Sequence, residues 1–381
     1  MTEEPRVRSV SGGAARRAYL SLIRAPYEQS PQWAHPDTRI LERLLRGRSL
    51  LAARSDHRSL LAEEDGRPVA CMTVFLHRSF EEKLRQKIAT IGFFEALRGH
   101  ERAVARLFAE AESWARERGA GRIWGPINGH VMYGFGCLEN RYGETPVVGT
   151  AYNLPDYPVH WWGAGFRKAP SFYSYRIDLA SRAAREAIDR AATSNATPAD
   201  ESRPAIHVRP ASPASWQREV GIFIDVHNAA FERNWGDTPL SHDEMWELMG
   251  LARHTIDPEM FSIAEIDGRP VGLVLAMPDL NQAFRRVRSK PASVRGALAL
   301  LLFRRSVRRG ALMTIAVLPG ARRRGLGEYL AARAMRRMIE RGLTEMEYCL
   351  VLEDNVPSQR IAQRFGGEHT KTYLMFEKVL A

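Results

Sequence analysis

The feature that most constrains this chain is that it repeats itself once. Asp65-Gly66-Arg67-Pro68-Val69 recurs as Asp267-Gly268-Arg269-Pro270-Val271, 202 residues later. In both places the motif reads as a hairpin turn entering an apolar strand. Thr90-Ile91 corresponds to Thr314-Ile315 at an offset of 224, and Arg118-Gly119 to Arg341-Gly342 at 223. The offset returns to 202 at Asn153 and Asn355. Each half has therefore gained about twenty residues at a different place. In the C-terminal half the gain falls on the basic segment from about 281 to 309, which reads as inserted helix. In the N-terminal half it falls on 129–149, a glycine- and aromatic-rich stretch that reads as a long shaped loop.

A chain of 381 residues has room for two cores. The repeat places an N-terminal domain at 1–180, a linker at 181–205 that begins helical and ends in Thr-Ser-Asn-Ala-Thr-Pro composition, and a C-terminal domain at 206–381. The C-terminal half alternates strand and helix: strands near 206–210, 258–266, 269–277, 311–318, 345–352 and 370–378, with helices near 213–233, 241–253, 325–342 and 356–365. That alternation predicts an α/β fold in which helices flank a mixed sheet.

Cys71, Cys137 and Cys349 are distant, odd in number and without a C-x-x-C pair, and the eleven histidines show no metal-ligand spacing, so neither disulfides nor a metal is expected. No apolar run approaches the length of a membrane span, and the start lacks the order of a signal peptide. The expected setting is the cytoplasm, with no membrane partner. A net charge of +11 would suit an anionic partner. The charges lack the interleaved aromatics of a single-strand binder, which argues against nucleic acid.

Directly after the strand ending at Leu318 stands Pro319-Gly320-Ala321-Arg322-Arg323-Arg324-Gly325-Leu326-Gly327, and then an amphipathic helix. Free amides at a helix N-terminus, with glycines that let an anion approach, suit a phosphate or pyrophosphate. This segment, V-x-P-x-x-R-x-x-G-x-G, resembles the acyl-CoA signature of the GNAT (Gcn5-related N-acetyltransferase) superfamily. Glu353-Asp354-Asn355-Val356-Pro357-Ser358, with Phe365-Gly366-Gly367 after it, resembles a second feature of that superfamily. The resemblance covers about 206–381 well and 7–179 weakly, and implies two GNAT-like halves in tandem, as in bacterial tandem proteins of this kind.

What the resemblance implies is an N-acyltransferase using acetyl-CoA or another acyl-CoA as co-substrate, by direct attack of an amine. Amides of Arg322, Arg323, Arg324, Gly325, Leu326 and Gly327 would hold the pyrophosphate. Asn355 and Ser358 would meet the pantetheine arm, and Ile315, Ala316 and Val317 would pair with it as a strand, the Val317 amide polarising the thioester carbonyl. The acceptor, a small-molecule amine or peptide, would approach Asn228, Asn234 and Trp235. Many members place a tyrosine seven residues after the equivalent of Asn355, where this chain has Ala362. Tyr373 is the candidate to fill that role. Glu353 is the candidate base, or equally a helix-capping or salt-bridged carboxylate.

In the N-terminal half the offset of 224 sets Arg98 on Arg322, but Glu101 on Gly325 and Ala103 on Gly327. A carboxylate would face the pyrophosphate, so one CoA per chain is expected. Glu95, Tyr133 and Tyr157 are candidates to face a shared cleft or to serve packing. Two alternatives stay open: a Fem-type aminoacyl-tRNA-dependent transferase, and a non-catalytic acyl-CoA-binding regulatory protein.

Overall fold

The repeated motif forms the same turn twice. Asp65 and Gly66 have φ of 48° and 73°, and Asp267 and Gly268 have 50° and 72°, the pair of left-handed residues that a two-residue hairpin requires. The computed structural model describes residues 4–194, 205–288, 290–291, 293–322 and 325–380.

The N-terminal half runs β1 (Arg6–Ser9), α1 (Gly12–Leu22), α2 (Arg39–Leu44), α3 (Leu50–Ala53), β2 (Ser55–Glu64), β3 (Arg67–His77), α4 (Arg78–Leu84), β4 (Ile88–Ala96), α5 (Glu101–Glu117), β5 (Arg122–Gly125), β6 (Cys137–Leu138), α6 (Tyr157–Gly163) and β7 (Arg167–Asp178). Helix α7 (Arg182–Ser194) follows; the rest of the expected linker, 195–204, lies outside the described residues. The C-terminal half runs β8 (Ile206–Pro210), α8 (Trp216–Ala230), α9 (His242–Met249), β9 (Phe261–Ile266), β10 (Arg269–Pro278), α10 (Asn281–Val287), α11 (Val294–Phe303), β11 (Arg309–Val317), α12 (Leu326–Glu340), β12 (Glu345–Leu352), α13 (Val356–Arg364) and β13 (Glu368–Val379).

The chain has the expected mixed α/β architecture of two like halves, but their strands form one continuous sheet in the order β1-β2-β3-β4-β5-β13-β7-β12-β11-β10-β9-β8. The halves exchange their last strands. β13 pairs antiparallel with β5 of the N-terminal half, from Phe376↔Gly125 to Val379↔Arg122. β7 pairs with β12 of the C-terminal half, from Glu345↔Asp178 to Leu352↔Phe172. Burial follows the exchange: Leu374 and Phe376 of β13 belong to the core under α5, and Tyr175 and Ile177 of β7 to the core under α12.

The inserted segment of the C-terminal half is two helices rather than the one expected. Arg288 turns left-handed at φ 45° and ends α10, Pro291 follows, and Ser293 caps α11 by accepting from the Gly296 amide at 3.0 Å. The long loop of the N-terminal half is pinned across the sheet. Buried Asp279 accepts from the Val148 amide at 2.8 Å and from Arg309 Nη2 at 2.6 Å, and Arg309 also donates to Thr145 O. Beside it, buried Lys371 donates to Glu347 at 2.6 Å. A second polar cluster joins the halves near α4 and α9. His77 Nδ1 meets Ser79 Oγ at 2.7 Å, its Nε2 meets Glu244 at 3.2 Å, and His130 Nε2 meets Thr238 O at 2.9 Å. His77, Ser79, His130, Thr238 and Glu244 are all buried, so this Ser-His-Glu sequence of contacts is a clamp closed to solvent.

Candidate active site

Strands β11 and β12 run parallel but pair only from Arg309↔Glu345 to Leu312↔Tyr348. The cause is a bulge. Leu350 takes φ 57° and β12 then re-pairs with β7 at Val351↔Tyr173, which draws its end away from β11. The two strands splay, and β11 is left with an unpaired edge from 313 onward. Leu318 gives its amide to Val271 O on the β10 side at 2.9 Å. By strand alternation the Val317 and Ile315 amides point the other way, into the splay. Ala316, expected beside them, pairs with Leu273 of β10 and is buried, so its amide belongs to the closed edge.

Helix α12 starts at the mouth of this gap. Gly325 caps it at φ 69°, and the amides of Leu326, Gly327 and Glu328, in its first turn, have no partner among the described residues. A Cβ on Gly327 would lie 3.3 Å from Ile361 Cδ1 of α13, 3.7 Å from Ile315 and 3.9 Å from Val317, so this glycine stands where helix, open strand and α13 converge. One expectation for the cradle changes. The Arg322 amide closes its own turn on Pro319 O at 3.3 Å, and its guanidinium donates to Ala230 O at 2.7 Å and Val317 O at 3.2 Å. Arg322 therefore ties the cradle to the end of α8. Arg323 and Arg324 lie outside the described residues.

On the far side of the gap, Asn355 caps α13 by accepting from the Ser358 amide at 3.2 Å, and its Nδ2 has no partner among the described residues. Ser358 Oγ meets the Tyr348 hydroxyl at 2.5 Å. Tyr348 is the last residue of β12 to pair with β11, so this hydroxyl pair sits at the apex of the splay; burial pushes the Tyr348 pKa up to about 12. Tyr373, the candidate from the sequence for the role left open at Ala362, is instead fully enclosed among Trp124, Leu138 and Phe172, and burial raises its pKa well above the usual value. Glu353 is held by Lys168 at 3.3 Å and by the Tyr173 hydroxyl at 3.4 Å, both on β7, which is the salt-bridged alternative read from sequence.

The acceptor side is formed by 231–239, between α8 and α9. Phe231 packs in the apolar cluster that holds Met313 of β11 and Leu318 just after it, and Trp235 in the one that holds Leu350 and Leu352 of β12, its ring 4.8 Å from that of Trp124. The segment thus bridges the splay. Asn228 commits its amide to Leu240, donating to its carbonyl at 2.9 Å and accepting from its amide at 3.2 Å, and so fixes the segment rather than offering a free donor. Asn234 turns within the segment, its amide on Phe231 O at 2.9 Å. Behind lies a cavity of about 330 Å³, lined in part by Lys83, Asn228, Phe231 and Asp237. Asp237 is not among the residues expected from the sequence, which carries no motif at that position. Burial pushes its carboxyl up to about 7, against the pull of Lys83, and lowers neighbouring His227 to about 4.

The N-terminal counterpart is closed. β4 and β5 pair from Ile88↔Arg122 to Thr90↔Trp124, but the chain then turns back into its own gap. Ile127 donates to Ile91 O at 2.8 Å, and Asn128 Oδ1 accepts from the Phe93 amide at 2.7 Å. Packing is tight enough that a Cβ on Gly92 would lie 2.4 Å from Ile127 O. Glu101 is the first residue of α5, Ala103 is buried in the core and Arg98 reaches Asp156 at 3.7 Å. Glu95 accepts from Tyr27 and Tyr157 at 2.7 and 2.6 Å, and burial pushes its carboxyl up to about 8. The buried Tyr133 hydroxyl has no partner among the described residues.

With this geometry in view, the comparisons agree. The acetyltransferase (GNAT) family profile matches residues 222–367. Protein YghO of Escherichia coli K12 is 22% identical over 95% of this chain and 92% of its own length. A bacterial ceramide synthase of Caulobacter vibrioides is 28% identical over 72% of this chain and 71% of its own. Among solved structures, a tandem GNAT protein from the clavulanic acid biosynthesis pathway superposes with a TM-score of 0.57, covering 99% of each chain at 14% identity. Residues 222–367 therefore match the acetyltransferase (GNAT) family, and the chain as a whole has a tandem GNAT fold.

Proposed function

We propose that the protein is an acyl-CoA-dependent N-acyltransferase with one site per chain, in the C-terminal half. The observation that carries this reading is the unpaired edge of β11 beside the free first-turn amides of α12. Leu326, Gly327 and Glu328 would hold the pyrophosphate on their amides, where the helix dipole favours negative charge. Ile315 and Val317 would bond the pantetheine arm as a neighbouring strand, with Asn355 Nδ2 opposite. The thioester supplies the activated acyl group; the Val317 amide would stabilise the oxyanion that forms on its carbonyl. Asp237, poised near neutrality, would take the proton from the ammonium form of the acceptor, and Ser358 would donate a hydrogen bond to the departing thiolate.

The ceramide synthase relative makes lipid amines the first acceptors to try. Titration calorimetry with acetyl-CoA and palmitoyl-CoA, followed by thiol release in the presence of long-chain amines, small polar amines and peptides, tests the proposal. No binding of either thioester would remove it and favour the aminoacyl-tRNA alternative. Binding without thiol release from any acceptor would favour a regulatory acyl-CoA-binding protein.

A further inference from the structure

No helix among the described residues is long and apolar enough to cross a membrane, and the sequence carries no expectation of a membrane partner. Helix α11 meets a different criterion. It buries only Gly296 and Ala299 fully, while Val294, Leu298, Leu301 and Leu302 are exposed by 88, 48, 72 and 61%. Positions 294, 298, 301 and 302 fall on one face at helical spacing, so the leucines form a continuous apolar ridge on a ten-residue helix.

What surrounds the ridge says what covers it. No aspartate or glutamate occurs between Asp279 and Glu328. Around α11 the side chains of Arg285, Arg286, Arg288, Arg295, Arg304, Arg305 and Arg308 are exposed, and none pairs with a carboxylate among the described residues. Arg286 lies over the Phe303 ring at 5.0 Å. An apolar ridge in an arginine-rich rim matches the boundary of an anionic bilayer, with leucines among the acyl chains and guanidinium groups at the phosphates. A nucleic acid would use the rim and leave the leucines wet. A second copy of the chain would bring the same positive field against itself. The insertion is also braced: Lys290 donates to Glu42 at 2.5 Å and Arg288 to Glu28 O at 2.7 Å, both in the N-terminal half.

We propose that α11 docks the protein on the surface of an anionic lipid membrane, its leucines entering the interface and its arginines holding the headgroups. This rests on the insertion alone and would stand if the chain transferred no acyl group. The test is flotation of the full chain with phosphatidylcholine vesicles carrying 30% phosphatidylglycerol, against phosphatidylcholine alone, at about 0.1 and 0.5 M salt. Expected are binding to the anionic vesicles, at least tenfold weaker binding to the neutral ones, and weakening at high salt. Leu298→Glu/Leu301→Glu and Arg304→Gln/Arg305→Gln should each reduce binding about tenfold or more with an unchanged thermal midpoint, because all four positions are exposed. The proposal is overturned if anionic vesicles are not bound, or if either double variant binds undiminished. It is also overturned if the wild type is a dimer that the leucine variant splits, or if RNA binds as tightly and independently of the leucines.

Discussion

The two halves begin from one plan and differ at one place, the gap where a parallel strand pair comes apart. In the C-terminal half the Leu350 bulge opens the gap, and no backbone segment among the described residues pairs with the β12-side edge of β11 beyond Leu312. In the N-terminal half residues 126–128 fold into it and take the same edge, with Ile127 on Ile91 O and Asn128 on the Phe93 amide. An unpaired strand edge is a binding site for anything that can act as a strand. Here the first half uses its own chain for that purpose. The proposal of a single CoA then rests less on the carboxylate of Glu101 than on this contrast, in which the competing occupant is covalently attached.

This contrast can be broken by experiment. The largest effect should come from Gly327→Val, whose branched side chain would fill the space between Ile361, Ile315 and Val317. CoA binding in calorimetry should fall at least a hundredfold, from one site in the wild type to none. A second site surviving that change would show that 126–128 can be displaced. Next, Asp237→Asn should lower turnover about tenfold at pH 7 and remove the rise in rate expected as Asp237 ionises through about 7. If Glu353→Gln does this instead, the proton leaves toward β7.

A smaller effect should follow Asn128→Ala, which removes the acceptor for Phe93 and the donor to Tyr133 O at 3.2 Å. A loss of about 1–3 kcal/mol in denaturant unfolding is expected, with CoA stoichiometry still one. The last concerns the pH dependence that Glu95 introduces. Its folded pKa of about 8 lies above that of an unfolded glutamate, so the folded state holds the extra proton, and Glu95 makes stability fall as pH rises from about 4.5 to about 8. Glu95→Gln should flatten that slope, with thermal midpoints converging at low pH and the variant relatively better at pH 9.

The turn motif and the cradle were legible in the sequence because local residue chemistry specifies them: Asp-Gly permits the left-handed pair, and Gly325 and Gly327 mark a helix start that an anion can reach. The second repeat, aligned by its offsets, also located both insertions. Three things were not legible. Residues 126–128 carry no motif, since only the three-dimensional path brings Ile127 back to Ile91. Asp237 carries no motif; its shifted carboxyl depends on burial against α4 of the other half. The exchange of β7 and β13 was hidden most completely. The two strands have the same length and follow equivalent helices, so each could have completed its own half, and pairing across a long stretch of chain leaves no local pattern.

That exchange has a consequence for how the protein is made. β13 leaves the ribosome after every other described strand, yet Leu374 and Phe376 complete the core beneath α5, which was synthesised long before. The first half must wait through the synthesis of the second with an unfilled strand position beside β5, a state open to premature pairing with other chains. A nascent chain halted before β13 should be a client for chaperones throughout, and its release should bring both halves to protease resistance in one step.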